Sequence, residues 1–169
     1  MKKIKPLITK YKSFKFRSRL EARWAVFFDS LGIKWEYEAE GYALEDCWYL
    51  PDFWLPEYDG GIHVEVKHTG GDFSKAMKFT EITRNSIWLC EGPPAPRVYD
   101  YVWWDEGAPN ICKVIPFWDV AVRFKRFFYD PGYEEQDGTM SQDYQDINPE
   151  YMQAVEDANC FDFNLTQTT

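Results

Sequence analysis

The chain has 169 residues, of which 45% are hydrophobic and 19% are aromatic; this is enough apolar material for one packed domain and excludes a disordered or fibrous protein. No apolar stretch approaches the roughly 18 residues of a membrane helix, and the basic start lacks the apolar segment of a signal peptide, so we expect a cytoplasmic protein without a membrane partner. The cysteines form no CxxC pair, which argues against structural zinc and disulfides.

The net charge of -9 is unevenly distributed along the chain. Residues 1–23 hold nine Lys or Arg and one acid, whereas residues 131–169 hold nine acids and no Lys or Arg. A basic arm of this kind either contacts a phosphate backbone or is simply solvated. The acidic tail is predicted to bind a protein partner or to weaken loose association with DNA.

The clearest predicted helix is Ser18–Leu31, where apolar residues recur at the spacing of one helical face and Gly32 follows as a stop. Alternation and turn residues then predict three strands, which are Trp35–Leu44, Trp48–Leu55 and Ile62–Lys67. In the second strand, Asp52 is expected to share a face with Trp48, Leu50 and Trp54, opposite Tyr49, Phe53 and Leu55.

The sequence pattern of the later part of the chain predicts further helices and strands. They are a helix from about Asp72 to Thr83, strands over Ser86–Cys90, Val98–Trp104 and Ile111–Phe117, a helix over Trp118–Tyr129 and a short helix over Pro149–Asn159. The element order predicts one α/β domain with a central mixed β-sheet flanked by helices. We place a basic arm at 1–17, the domain at 18–130 and an acidic tail at 131–169.

Three carboxylates and one lysine are the candidates for chemistry. Alternation in Ile62–Lys67 places His63, Glu65 and Lys67 on one face of a strand, although an ordinary amphipathic strand has the same pattern. Asp52 follows Pro51 within an apolar run, where an ionised carboxylate needs a cation, a metal or several donors. The alternative for this segment is a plain Pro-Asp turn.

Glu21 has two predicted roles that the sequence leaves balanced. With Ser18 it fits a capping box, in which the glutamate side chain reaches back to the start of the helix. It also lies close enough to the apolar face of the helix to reach a sheet edge and act as a metal ligand.

Two acids and a neighbouring lysine suit metal-assisted hydrolysis of a phosphodiester bond. Asp52 and Glu65 would hold Mg²⁺, or Mn²⁺, because these cations prefer hard oxygen ligands. A bound metal polarises the phosphate and acidifies a water molecule, while Lys67 stabilises developing negative charge.

The spacing of Pro51-Asp52 and Glu65-Val66-Lys67 resembles the PD-(D/E)xK nuclease motif. The text FRSRLEARWAVFFDSLGIKWEYE (16–38), YLPDFWLP (49–56) and HVEVK (63–67) resembles phage and prophage proteins of that superfamily. The resemblance covers roughly residues 11–68. His68 stands where a Gly commonly follows the motif in these relatives.

This resemblance implies a restriction-endonuclease-like core that acts on DNA with Mg²⁺. It assigns the metal carboxylates to Asp52 and Glu65, the catalytic lysine to Lys67 and the acid of the first helix to Glu21. The rival interpretation is a catalytically silent binding protein with the same fold, acting as a virion component or as an inhibitor of a host defence enzyme.

Several basic side chains are further candidates for phosphate contact. They are Arg17, Arg19, His68, Lys75 and Lys78. For the two helix lysines, ordinary solvation is the usual alternative.

Overall fold

The computed structural model describes residues 7–57, 60–95, 99–105, 107–114 and 149–164. The predicted helix at 118–129, the end of the predicted strand at 111–117 and the first part of the acidic tail lie outside these residues. Within the described residues, no helix is both long enough and apolar enough to cross a bilayer.

The first helix, α1 (Arg19–Ser30), confirms the prediction made from its apolar periodicity. Ser18 caps it, because the side-chain oxygen accepts the N–H of Glu21 at 3.1 Å. Gly32 follows the helix with a φ of +67°, a conformation that glycine adopts without steric cost. The buried face of α1 carries Trp24, Phe27 and Phe28.

Ten strands of the described residues lie in one large sheet and two small ribbons. The strands are β1 (Thr9–Tyr11), β2 (Phe14–Phe16), β3 (Glu36–Tyr37), β4 (Tyr42–Leu44), β5 (Cys47–Tyr49), β6 (Phe53–Leu55), β7 (Ile62–Lys67), β8 (Ile87–Glu91), β9 (Tyr99–Asp105) and β10 (Ala108–Val114). The large sheet has the order β10-β9-β8-β7-β6-β3, and the pairs β1-β2 and β4-β5 form the ribbons. Within the large sheet β7 and β8 run parallel and the other pairs run antiparallel, so the sheet is mixed.

A helical crossover joins the two parallel strands at the centre of the sheet. Helix α2 (Ser74–Thr83) connects β7 to β8, as parallel neighbours require. The strand β7 has the predicted bounds, and β8 is shifted by one residue from its predicted start. The predicted mixed α/β architecture is therefore confirmed at this level.

The two faces of the large sheet pack against different elements. One face, with Ile62, Val64 and Val66 of β7, belongs to the same buried cluster as α1 and the C-terminal helix α3 (Pro149–Cys160). The other face packs on α2 and on the β4-β5 ribbon through Tyr49 and Phe79. His63, Glu65 and Lys67 lie on this second face, because side chains alternate along a strand.

Two predicted strands are each divided in the structure. The predicted strand 35–44 becomes β3 and β4, and the predicted strand 48–55 becomes β5 and β6. Pro51 lacks a backbone donor, and β5 turns away to pair with β4. The expected common face of Tyr49, Phe53 and Leu55 was therefore wrong: Tyr49 packs in the cluster with α2, whereas Phe53 and Leu55 pack in the cluster with α1.

Parts of both charged termini contribute to the core. The β1-β2 hairpin lies within the basic arm, and its Phe16 is fully buried. The C-terminal helix α3 confirms the short helix predicted in the acidic tail, and Tyr151 and Ala154 bury it in the cluster shared with α1.

Candidate active site

The structure brings Asp52 against the central strand β7. Asp52 immediately precedes β6, and only 2% of its surface is exposed. Its Oδ2 accepts the backbone N–H of Val66 at 2.7 Å, so the carboxylate lies beside the peptide group that joins Glu65 to Val66. The two short motifs predicted to cooperate therefore meet in space.

Glu65 and Lys67 interact directly on the same face of β7. The Lys67 ammonium is ion-paired with Oε1 of Glu65, while the hydroxyl of Tyr49 donates to Oε2 at 2.7 Å. Glu65 is 4% exposed, whereas about a third of the Lys67 side chain is open to solvent. The carboxylate is thus held at the bottom of the site, and the lysine extends toward its open side.

Arg17 supplies a second cation to this group. Its Nη2 lies 2.6 Å from Oδ1 of Asp52, and its Nε lies 2.7 Å from Oε1 of Glu38. The backbone N–H of Glu38 also donates to the carbonyl of Asp52 at 2.9 Å. Arg17, predicted as a phosphate ligand, is in this structure a partner of the candidate metal carboxylate.

Glu21 makes the contacts of a helix cap. Its carboxylate accepts the hydroxyls of Ser18 and Tyr37 at 2.7 Å and 2.6 Å, and the backbone N–H of Arg17 at 3.1 Å. Ser18 therefore caps α1 as predicted, whereas the Glu21 carboxylate accepts the N–H of Arg17, one residue before the N-cap residue whose N–H the capping box predicts. A role as metal ligand stays a prediction, although Glu21 lies near enough to influence the charge of Asp52.

Negative charge accumulates around Asp52. Burial, and then the charges of Glu65 and Glu21, raise the pKa of Asp52 well above its ordinary value, although the Val66 N–H and Lys67 oppose this effect. Burial and the charge of Glu65 likewise raise the pKa of the Tyr49 hydroxyl, so Tyr49 remains a donor to that carboxylate. A cation bound here would relieve the repulsion among the acids.

The site consists of four carboxylates and two cations. We call the carboxylates the acidic network; they are Glu21, Glu38, Asp52 and Glu65. With Arg17 and Lys67 as the cations bonded to them among the described residues, two negative charges remain when all groups are ionised. This excess of hard oxygen donors suits a divalent cation such as Mg²⁺.

The number of protein ligands available to such a cation is small. Among the described parts of the chain, no three His, Cys, Asp or Glu side chains form a group that could hold a metal ion. Mg²⁺ commonly takes one or two carboxylates and completes its shell with water and phosphate oxygens. Asp52 and Glu65 fit this pattern as a pair.

The other predicted phosphate ligands lie at different places around the site. Lys78 is ion-paired with Asp46 at 2.7 Å and with Glu45 at 3.4 Å. Lys75 is exposed on α2, and His68 is exposed directly after β7. Arg19 is half-buried and donates to Asn164 at 3.4 Å. Their role toward DNA stays a prediction.

Three site residues were not predicted from the sequence. They are Tyr37, Glu38 and Tyr49, which contact the candidate residues from distant positions in the sequence. The one sequence feature that could have indicated them is that they lie within the segments that resemble the nuclease superfamily. A polar aromatic residue in a strand usually indicates packing, so no local pattern distinguishes a hydroxyl that donates to a buried carboxylate.

A separate cavity of about 430 Å³ opens at the start of β7, lined by Glu36, Ala39, Glu40, Tyr42, Trp54, His63 and Asn85. The buried His63 ring packs against Trp54 with 4.6 Å between the ring centroids, and its Nε2 lies 3.1 Å from the hydroxyl of Tyr42. Burial lowers the pKa of His63 to about 4, so the ring is neutral at neutral pH. His63 therefore lies in an aromatic environment apart from the acidic network.

Comparisons with protein-family models, with curated proteins and with solved structures find no match for this chain.

Proposed function

We propose that this chain is a phage-encoded, metal-dependent nuclease that hydrolyses phosphodiester bonds in DNA on a restriction-endonuclease-like core. The observation that carries the proposal is the hydrogen bond from Val66 to Asp52, which joins the Pro-Asp segment to the Glu-Val-Lys strand. The motif resemblance supports the same assignment. The parallel β7-α2-β8 unit supplies a rigid strand for the site.

The residues have distinct roles in the proposed reaction. Asp52 and Glu65 would hold Mg²⁺ or Mn²⁺, with Glu21 as a candidate third ligand. A bound divalent cation supplies phosphate polarisation and a more acidic water molecule. Lys67, partly exposed beside Glu65, orients the attacking water or stabilises the negative charge that develops on the phosphate.

The buried environment explains why these groups would act together. Tyr49 and the Val66 N–H fix the two carboxylates in position before a cation binds. The low accessibility of Asp52 and Glu65 strengthens their attraction for a cation relative to that of exposed acids.

A second candidate function is favoured by one specific observation. In the acidic network, the oxygens of Asp52, Glu65 and Glu21 all accept bonds from the protein itself. A site satisfied in this way is also compatible with a silent nuclease fold that serves as a virion component or as an inhibitor of a host defence enzyme. In that case the acidic tail would be the surface for the protein partner.

Cleavage assays separate the two functions. The protein is incubated with linear, circular and branched DNA in Mg²⁺, in Mn²⁺ and in EDTA. We expect cleavage that EDTA abolishes and that falls at least about a hundredfold in Asp52→Asn, Glu65→Gln and Lys67→Ala, which is the scale of a catalytic group.

Matched variants control for charge and for folding. Lys34→Ala and Glu81→Gln change exposed residues away from the acidic network and should retain full cleavage. Absence of cleavage on every substrate would favour the silent binding protein. Full cleavage by Lys67→Ala would show that the metal site does not work as proposed.

A further inference from the structure

The Arg17 guanidinium occupies one oxygen of the Asp52 carboxylate. Oδ2 accepts the Val66 N–H from the sheet backbone, whereas Oδ1 contacts Arg17, whose side chain is partly exposed. Two cations sharing one carboxylate oxygen repel each other strongly in a buried environment. A divalent cation bound through Oδ1 therefore competes directly with Arg17.

The attachment of Arg17 allows its side chain to move while its backbone stays fixed. The backbone N–H donates to Glu21 at 3.1 Å and to the hydroxyl of Tyr37 at 3.0 Å, directly before the cap of α1. The side chain, by contrast, is 54% exposed. Its guanidinium can leave Asp52 through side-chain rotation alone, without disturbing the core.

Glu38 holds the other side of the guanidinium under backbone strain. Its φ of +49° is in the left-handed region, which is sparsely populated for residues with a side chain. Such conformations are retained at sites where their geometry is needed. Here the strained backbone aims Oε1 of Glu38 at Nε of Arg17 and bonds to the carbonyl of Asp52.

We propose that Arg17 is an exchangeable counter-ion of the site, bound to Asp52 and Glu38 in the metal-free protein and displaced toward the substrate phosphate when a divalent cation binds. The inference rests on the nuclease function proposed above. It assigns to Arg17 two successive partners: first a carboxylate, and then a phosphate, whose oxygens its planar group binds equally well. Arg17 is thus a substrate-positioning residue that becomes available only in the metal-bound protein.

Metal titration tests the competition without measuring cleavage. Mn²⁺ is titrated calorimetrically into the full chain at about pH 8, because carboxylates bind a metal in the deprotonated form, which a higher pH favours. Arg17→Ala should bind Mn²⁺ about tenfold more tightly than the wild type, since the competing positive charge is absent. Lys15→Ala removes the same charge from an exposed residue on β2 and should leave the affinity unchanged.

A second variant guards against misfolding of Arg17→Ala. Glu38→Asp keeps the charge of the acidic network and the pair between Arg17 and Asp52, but its shorter side chain weakens the hold on Nε, so it should tighten Mn²⁺ binding by a smaller factor. If neither variant binds Mn²⁺ more tightly than the wild type, the exchange is overturned. If the wild type binds no Mn²⁺ at all, the nuclease proposal itself fails.

DNA binding tests the second half of the exchange. In the Lys67→Ala background, where cleavage is suppressed, Arg17→Ala should weaken binding to a short duplex in Mg²⁺ and have no effect in EDTA. An equal loss of affinity in Mg²⁺ and in EDTA would show that Arg17 contacts DNA without leaving Asp52. If the wild type nevertheless cleaves DNA and binds Mn²⁺, that equal loss would overturn the exchange of Arg17 and leave the nuclease proposal standing.

Discussion

The carboxylate of Asp52 accepts the backbone N–H of Val66 at 2.7 Å, and through this bond two segments fourteen residues apart form one site. Because a backbone donor makes the bond, it depends on the position of β7 and not on the identity of the side chain at 66. Asp52 is also near enough to Glu65 and Lys67 for their charges to act on it, the first raising and the second lowering its pKa.

Replacing Asp52 by Asn should change how stability depends on pH. The raised pKa of Asp52 means that the folded protein binds this proton more tightly than the unfolded chain does, so the contribution of Asp52 to stability falls as pH rises from about 4 through the raised pKa. Asp52→Asn keeps an oxygen acceptor for Val66 and removes the charge. In metal-free buffer the stability of the variant relative to wild type should therefore increase as pH rises from about 4 to about 8. Parallel melting curves from pH 4 to 8 would contradict this.

Removing the Tyr49 hydroxyl should destabilise the protein. In Tyr49→Phe the ring keeps its contact with Phe79, but Oε2 of the buried Glu65 loses its donor. An unsatisfied buried acceptor costs about 1–3 kcal/mol, measurable by urea denaturation. Ser74→Ala is the control, because its hydroxyl donates to the exposed Asp72 and should cost less than about 1 kcal/mol. Equal losses in the two variants would show that the bond to Glu65 is not special.

Two substitutions of Glu21 separate its roles. As a cap, Glu21→Gln retains an acceptor for the start of α1 and should be nearly neutral, whereas Glu21→Ala should cost about 1 kcal/mol. We expect this pattern together with an unchanged Mn²⁺ titration. A Glu21→Gln variant with wild-type melting but weaker Mn²⁺ binding would instead identify Glu21 as a third metal ligand.

Acid should destabilise the protein through His63. Burial lowers its folded pKa to about 4, below the ordinary 6.5, so the unfolded state binds more protons and stability is lost as pH falls from 6.5 toward 4. His63→Phe removes this contribution, which is roughly 2–3 kcal/mol at pH 7 by linkage. The variant's melting temperature should therefore fall less than that of the wild type across this window. An identical fall would contradict a buried neutral histidine.

Neutralising part of the acidic tail should strengthen DNA binding at low salt. The five acids within residues 134–146 are replaced by Asn and Gln. Helix α3 is left unchanged, because its Tyr151 is part of the core. The gain should fade as salt screens the charges, as measured by fluorescence anisotropy on a duplex. Unaltered affinity at low salt would favour a protein partner for the tail.

Residue periodicity predicted the elements that carry the candidate site. Apolar spacing located α1, strict alternation located β7 with its observed bounds, and the pair Ser18 and Glu21 predicted the cap that the structure contains. These features depend on neighbours within one or two turns of chain, and local patterns are sufficient to specify them.

Local patterns were insufficient between residues 35 and 55. There the apolar residues run almost continuously, so alternation could not show where one strand ends and another begins. The strands in this segment are two or three residues long and pair with different partners. Their bounds depend on which backbone groups meet a hydrogen-bonding neighbour in the folded chain.

The amino-acid sequence alone specified which groups could do chemistry: an aspartate in an apolar run, a glutamate and a lysine on one strand face, and an excess of acids over bases. Only the tertiary structure decided their partners. Arg17 bonds to Asp52 across 35 residues, and Tyr49 bonds to Glu65 across 16. Burial makes such bonds obligatory for a charged group, but many donors satisfy that demand equally well, and packing of the sheet selects among them.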